Sequence, residues 1–173
     1  MKMPDEVYQP AEDTFLLLDY LNQLEPDGQL LEVGTGSGLI AVKMAENGWQ
    51  VTASDIHQES VKEAEELAVD KDVEVHFISS DLFGNISGEY DLVVFNPPYL
   101  PGGDDVEGRT WKGGEKGVEI TERFLEQVRD YLADGGRAVF VASSLSEIEG
   151  LEDCRKIRST ELWFETLYLM EFK

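Results

Sequence analysis

The fold of this chain is decided by Leu30-Leu-Glu32-Val33-Gly34-Thr-Gly36-Ser-Gly38, a short apolar strand that runs directly into a glycine loop. A glycine loop between a strand and its helix lets a ligand approach backbone amides and the helix N-terminus. The pattern predicts a helix over 39–46, closed by Asn47-Gly48. The stretch therefore predicts a β–loop–α unit that binds a nucleoside-type cofactor.

Strands and helices alternate on both sides of this unit. Helical spacing of leucines predicts a helix over 11–24, ended by Pro26-Asp27-Gly28. Further strands are predicted over 51–54, 73–78, 90–95 and 138–142, and helices over 58–68 and 118–132, the last stopped by Asp134-Gly135-Gly136. A short helix near 146–154 precedes two final strands, 156–162 and 163–172.

This order predicts an α/β fold with a mostly parallel seven-stranded sheet and helices on both faces. The last two strands have no helix between them, so we expect a C-terminal antiparallel hairpin. At 173 residues the chain fits a single domain over 1–173. We expect the N-terminal helical segment 1–28 to complete the cofactor site.

The composition indicates a folded, cytoplasmic protein with an unusual charge. No apolar run reaches the roughly 20 residues of a membrane span, and the N-terminus lacks the apolar core of a signal peptide. The single cysteine, Cys154, excludes an internal disulfide and a cysteine-built zinc site, and we expect no metal. The net charge of −22 disfavours phosphate backbones as partners. Adaptation of the surface to high salt and a dedicated basic partner are two explanations of that charge.

The glycine loop and the residue before it indicate which class of cofactor the chain binds. The spacing is Gly34-x-Gly36-x-Gly38 with Leu39 where a dinucleotide fingerprint has glycine, which disfavours a nicotinamide cofactor. The preceding Glu32 would repel a pyrophosphate but pair with an ammonium group. S-adenosylmethionine carries such a group and has no phosphate.

Two later strands also end in acidic residues. Asp55 follows the second strand, about 20 residues past the loop, where a carboxylate can bind both ribose hydroxyls. After the third strand, Asp81 can accept from the exocyclic amine of adenine, and Leu82 can pack on the ring. Since ligands bind at the C-terminal ends of parallel strands, we expect these residues to lie together.

The chemical step is predicted from Asn96-Pro97-Pro98-Tyr99, which follows the apolar run 91–95. The side-chain oxygen of Asn96 and the carbonyl of Pro97 are two acceptors that can hold both N–H bonds of a planar amide or arylamine. They would direct the nitrogen lone pair at a methyl group and stabilise developing positive charge. Tyr99 can stack on the planar group. A rigid strand exit is the simpler alternative for the two prolines.

These motifs resemble the class I S-adenosylmethionine-dependent methyltransferases, which have a Rossmann-like fold, and more narrowly the HemK-type release-factor glutamine methyltransferases. The narrower resemblance rests on the glycine loop, on Asn96-Pro97-Pro98-Tyr99 and on two further motifs: Val7-Tyr8-Gln-Pro10-Ala-Glu12-Asp13-Thr14-Phe15-Leu-Leu-Leu18 and Trp111-Lys-Gly113-Gly114-Glu-Lys-Gly117. Only about 28 residues precede the first strand, so the chain is similar to the compact archaeal and eukaryotic branch.

The resemblance implies a substrate, a set of site residues and a partner. The substrate would be the glutamine of the Gly-Gly-Gln motif in a class I peptide-release factor, methylated on its side-chain amide. The resemblance implies that the cofactor contacts are Tyr8, Thr14, Glu32, Gly34, Gly36, Gly38, Asp55, Ile56, Asp81, Leu82 and Asn96. It also implies a heterodimer with a small zinc-binding activator protein at the edge strand from Val73 to Ile78.

Three other functions stay open at this point. An adenine-N6 methyltransferase on RNA or DNA also acts on a planar NH2, but it must grip a nucleic-acid backbone, and the sequence shows no basic patch. The two acceptors of Asn96 and Pro97 suit a planar amide better than they suit a lysine side chain. A non-catalytic cofactor-binding scaffold has no need of Asn96 or Glu32.

Overall fold

The computed structural model describes residues 11–98, 118–146 and 151–173. They form one seven-stranded sheet with strand order β3-β2-β1-β4-β5-β7-β6. The strands are β1 (Gln29–Val33), β2 (Gln50–Asp55), β3 (Val75–Ser79), β4 (Tyr90–Phe95), β5 (Leu132–Ser143), β6 (Cys154–Glu161) and β7 (Thr166–Phe172). Strands β1 to β5 are parallel, and β7 is antiparallel to both β5 and β6. The predicted fold class, including the C-terminal hairpin, is confirmed.

Four α-helices are present in the described part of the chain: α1 (Glu12–Leu21), α2 (Leu39–Glu46), α3 (Gln58–Asp70) and α4 (Glu119–Val128). Two single-turn 3-10 helices lie at Arg129–Tyr131 and Leu151–Asp153. No helix among these described residues is long and apolar enough to cross a membrane.

The apolar residues of the strands face two separate cores because successive side chains point to opposite sides of a sheet. On one face, Leu30 and its neighbours pack with Leu17 of α1 and Ile40 of α2. On the other, Leu31 and its neighbours pack with Phe124 of α4. Helices therefore cover both faces, which leaves the ends of the strands as the place where a ligand can enter.

Several predicted element bounds were wrong, and the largest errors lie before and after the start of β5. Helix α4 ends at Val128 instead of residue 132, and β5 begins at Leu132 instead of residue 138. Asp134-Gly135-Gly136 lies inside β5, where the pairing with β4 shifts register between Tyr90 and Leu92. A Cβ on Gly136 would lie 2.8 Å from the carbonyl oxygen of Tyr90, so glycine there permits close strand approach.

The remaining differences are smaller. Strand β3 begins at Val75, not at residue 73, because the turn after α3 includes Asp72 at a φ of 54°. The helix predicted near 146–154 is only the 3-10 turn at Leu151–Asp153 in the described residues, and Cys154 already belongs to β6. Strand β7 begins at Thr166 because Trp163 and Phe164 form the hairpin turn.

Candidate active site

The predicted site residues follow the C-terminal ends of strands that lie side by side. In the β1–β4 pair, Val33 is opposite Phe95, so Gly34 and Asn96 leave the sheet next to each other. Strand β1 pairs with β2 on one side and with β4 on the other, and the chain crosses back from β3 to β4, which makes this the topological switch point of the sheet. Open α/β sheets bind ligands in the crevice at such a point.

Glu32 is buried beneath the glycine loop. One of its carboxylate oxygens accepts from the Thr35 hydroxyl at 2.6 Å and from the Ala41 amide at 3.0 Å. Burial raises the pKa of Glu32 to about 8, the charge of Asp55 adds to the rise, and the two hydrogen bonds oppose it. No described cation pairs with this carboxylate, which suits a site that receives a positive group from a ligand.

The glycine loop has left-handed backbone at three positions. Gly34, Gly36 and Gly38 have φ angles of 68°, 53° and 81°, which side chains with a Cβ rarely adopt. At Gly38 a Cβ would also lie 2.6 Å from the Cβ of Ala64, so glycine lets α3 approach the loop. This spacing therefore serves both loop shape and helix packing.

Asp55 is tied to the loop. Its carboxylate accepts from the Gly36 amide at 2.9 Å and from the His57 amide at 2.9 Å. The side chain is nearly buried, yet each carboxylate oxygen can accept a further hydrogen bond. The neighbouring Ile56 side chain is exposed, as the predicted contact with a ligand requires.

The segment after β3 is held in a strained conformation. Leu82 has a φ of 46°, which is unfavourable for a leucine. The buried Ser80 stabilises this turn, since its hydroxyl donates to the Leu82 carbonyl and accepts from the Asn85 amide. Asp81 is half exposed and accepts from Arg123 of α4 at 3.0 Å, a partner that the sequence did not indicate.

Asn96 has an unpaired acceptor. Its side-chain oxygen is buried and has no hydrogen-bond partner in the structure as described. A buried oxygen without a donor costs free energy, about 1–3 kcal/mol. The preceding residue, Phe95, anchors the end of β4 to α4, because its ring packs on that of Phe124 with centroids 4.7 Å apart. Pro97, whose carbonyl is the second predicted acceptor, is buried, and Pro98 is partly buried.

The remaining predicted residues are only partly within the described chain. Thr14 is buried on α1, and its amide donates to Asp13 at 2.6 Å. Tyr8, Tyr99 and the loop 102–117 with its Trp111 motif lie outside the described residues. In the described ranges, no group of three or more His, Cys, Asp and Glu side chains could hold a metal ion.

Sequence reasoning missed Thr35 and Ser80. Both are buried and hydrogen-bond a predicted site element, Glu32 in one case and the backbone of Leu82 in the other. Ser80 directly follows β3, and Thr35 is two residues past the end of β1. A small hydroxyl residue just after a strand is therefore a sequence feature from which both could have been predicted.

Comparison with known proteins shows which family this chain belongs to. The family model described as "Methyltransferase small domain" matches residues 11–153. The chain belongs to the methyltransferase small domain family. This methyltransferase is 39% identical over 152 residues to a putative protein N5-glutamine methyltransferase of Methanocaldococcus jannaschii, covering 84% of the chain and 77% of that relative.

Two further likenesses extend the comparison. A release factor glutamine methyltransferase of Streptococcus pneumoniae is 34% identical over 151 residues, which are 79% of this methyltransferase and 54% of that protein. The 16S rRNA N2 G1207 methyltransferase of Thermus thermophilus, solved with AdoMet and guanosine, has a TM-score of 0.77. At 18% identity, over 95% of this chain and 43% of that one, it shows the shared fold.

The residues present fit S-adenosylmethionine. Glu32 is a buried carboxylate without a described cation, Asp55 has free lone pairs beside the loop, and Asn96 has an unpaired buried oxygen. Glu32 and Asp55 can accept from an ammonium group and from ribose hydroxyls, which this cofactor carries, and Asn96 can accept from an N–H donor of a second substrate. Methyl transfer is the chemistry that the family description names.

Proposed function

We propose that this methyltransferase transfers a methyl group from S-adenosylmethionine to the side-chain amide nitrogen of a glutamine, in the Gly-Gly-Gln motif of a class I peptide-release factor. The buried, unpaired oxygen of Asn96 is the observation that carries the proposal. This oxygen lies at the strand end beside the ligand crevice, and an amide N–H of a substrate would supply the hydrogen-bond donor that it lacks. The names of the archaeal and streptococcal relatives support the same substrate class.

Two acceptors, the side-chain oxygen of Asn96 and the carbonyl of Pro97, form a clamp for the substrate amide. S-adenosylmethionine, when bound, supplies an electrophilic methyl group. Asn96 Oδ1 accepts one N–H of the substrate amide and the Pro97 carbonyl accepts the other, which orients the nitrogen toward that methyl. Both dipoles stabilise the positive charge that grows on nitrogen during attack, and they cost no reorganisation because the strand end is rigid. The nitrogen loses one proton to solvent afterwards, so the site needs no strong base.

Cofactor orientation comes from the first two strands. Glu32 would bind the ammonium group at the base of the crevice, and Asp55 would accept from the ribose hydroxyls. The Gly36 amide holds Asp55 in place, so loop and carboxylate are positioned together. Asp81 and Leu82 would contact the adenine, with Leu82 held by Ser80.

Transfer of labelled methyl groups tests the proposal. Purified protein is incubated with labelled S-adenosylmethionine and a release factor that contains Gly-Gly-Gln, and in parallel with its Gly-Gly-Asn variant. We expect label on the first and none on the second. Label on lysine residues, or on RNA added to the reaction, would show that the methyl acceptor is not glutamine.

We also propose that a small zinc-binding activator protein pairs with β3. This strand is at one edge of the sheet and pairs only with β2 in the described chain. In β3 the side chains of His76 and Ser79 are exposed and the other three are partly buried, and Val69 of the adjacent α3 is largely exposed. An edge with free backbone groups beside an apolar residue suits strand addition. A purified chain that is monomeric, soluble and fully active alone would remove the case for this heterodimer.

A further inference from the structure

Arg123 of α4 lies beside the carboxylate that the proposed function assigns to adenine. Its Nη2 donates to Asp81 Oδ2 at 3.0 Å, between positions 42 residues apart in the sequence. Arg123 is the one cation of α4, and Glu119 and Glu126 lie one turn to either side of it on the same helix. The guanidinium nevertheless bonds a carboxylate that follows β3, at the end of the parallel strands where open α/β sheets bind ligands.

The turn after β3 is fixed against α4 by aromatic side chains. Phe83 stacks on Phe124 with ring centroids 5.6 Å apart, and on Tyr131 with centroids 4.5 Å apart. The Tyr131 hydroxyl also donates to the Phe83 carbonyl at 3.3 Å. Phe83 and Phe124 are almost completely buried. Since Asp81 is two residues before Phe83 and Arg123 directly precedes Phe124, this packing holds the two charged residues at a fixed separation.

The ion pair is too exposed to contribute much to folding stability. The side chains of Arg123 and Asp81 are 50% and 54% exposed. Solvent screens a pair of this kind, and holding two side chains in one geometry costs entropy. Its effect is local, because the hydrogen bond from the guanidinium restricts the rotation of the Asp81 carboxylate. An exposed aspartate without this bond would turn freely.

The hydrogen bond leaves one oxygen of Asp81 available to a ligand. Arg123 donates to Oδ2, and Oδ1 has no donor among the residues that the structure describes. A carboxylate oxygen held in this way accepts from an amino group and repels a carbonyl oxygen at the same position. Adenine has an exocyclic amino group where hypoxanthine has a carbonyl oxygen. A fixed Asp81 therefore discriminates between the two bases more strongly than a freely rotating one.

We propose that Arg123 is a positioning residue for cofactor recognition, which holds the Asp81 carboxylate so that Oδ1 accepts from the exocyclic amino group of adenine. Arg123 acts through Asp81 and not on the cofactor itself. The inference rests on the proposed S-adenosylmethionine site and assigns to it a determinant of base specificity. The preference for adenine then depends on α4, which follows the strand that carries Asn96.

Two cofactor analogues test the role of Arg123. S-adenosylhomocysteine and S-inosylhomocysteine both lack the sulfonium charge and differ only in the base. The ratio of their dissociation constants, from calorimetric titration without a methyl acceptor, is the base preference. The variants are Arg123→Ala, Arg123→Lys, Asp81→Ala and the double variant with alanine at both positions. Arg129→Ala is the control, because Arg129 pairs with Asp153 at 3.3 Å, its side chain is 61% exposed, and Asp153 is not assigned to the cofactor.

We expect the wild type to bind the adenine analogue at least about tenfold more tightly than the hypoxanthine analogue. Arg123→Ala should reduce this ratio by about fivefold or more, because Asp81 then rotates freely. Arg123→Lys keeps a cationic donor and should retain part of the preference, and Arg129→Ala should leave it unchanged. In the Asp81→Ala background, Arg123→Ala should have no further effect on the ratio, since a positioning residue acts only through its partner.

An unchanged ratio in Arg123→Ala would overturn the positioning role. An equal reduction in Arg129→Ala would also overturn it, and so would an effect of Arg123→Ala that persists when Asp81 is absent. If neither analogue binds the wild type, the cofactor site is refuted, and the role of Arg123 with it. Because the titration contains no methyl acceptor, a loss of base preference in Arg123→Ala supports the inference even if glutamine proves not to be the substrate.

Discussion

The Gly36 amide donates to the Asp55 carboxylate at 2.9 Å, across the ends of β1 and β2. The same carboxylate accepts from the His57 amide, so it orders the glycine loop and the start of α3 at once. A residue proposed to bind ribose is thus also part of the scaffold that shapes the cofactor crevice.

Replacing Asp55 should therefore weaken cofactor binding strongly. We expect Asp55→Ala to lower S-adenosylmethionine affinity by at least about tenfold, since it removes acceptors for both the ribose and the loop. Asp55→Asn keeps one carbonyl oxygen and should lose less. Calorimetric titration measures both, and an unchanged affinity in Asp55→Ala would mean that the ribose assignment is wrong.

Asn96→Ala should separate turnover from cofactor binding. The acceptor acts on the substrate amide, mainly in the transition state, so kcat should fall by at least about 100-fold. Cofactor affinity should stay within about tenfold of the wild type. Single-turnover methylation and cofactor titration on the same preparation make the comparison; near-normal turnover would refute the clamp.

The raised pKa of Glu32 predicts a pH-dependent stability. The pKa is about 8 in the folded protein against 4.5 as the ordinary value, so the folded state retains a proton that the unfolded state loses. The stabilising contribution is complete below pH 4.5 and declines as the pH rises toward 8. Chemical unfolding of the wild type should therefore show a decline over this window that Glu32→Gln lacks.

Saturating S-adenosylmethionine should reduce that decline. The ammonium group favours the ionised form of Glu32, which lowers its pKa in the complex. Stability profiles of the wild type and Glu32→Gln that run parallel without cofactor would contradict the raised pKa. An undiminished decline with cofactor would contradict the ammonium contact.

Gly38→Ala should destabilise the protein by about 2–4 kcal/mol. The new Cβ would lie 2.6 Å from the Cβ of Ala64, at a φ of 81°. Gly88→Ala is the control, because Gly88 has a φ of 93° and nothing within 4 Å of the added Cβ. It should cost only the backbone strain, about 1–2 kcal/mol. Urea unfolding curves measure both, and equal losses would show that α3 moves away freely.

Local signals in the sequence were sufficient to predict the order of strands and helices and the residues that follow each strand. Hydrophobic period and glycine placement are properties of short segments, so Glu32, Asp55 and Asn96 could be assigned to strand ends from the sequence alone. The burial of Glu32 could be expected from its apolar strand. The glycine spacing also indicated the loop that turns over it.

Long-range pairing determines which partners these residues meet, and no local pattern encodes it. The ion pair of Asp81 with Arg123 joins positions 42 residues apart. The exposed Trp163–Phe164 turn lies at the same edge of the sheet as Asn96 only because β7 pairs with β5. The length of β5 was mispredicted since Gly135 and Gly136 are typical of a turn, whereas the close approach of Gly136 to Tyr90 makes them part of a strand.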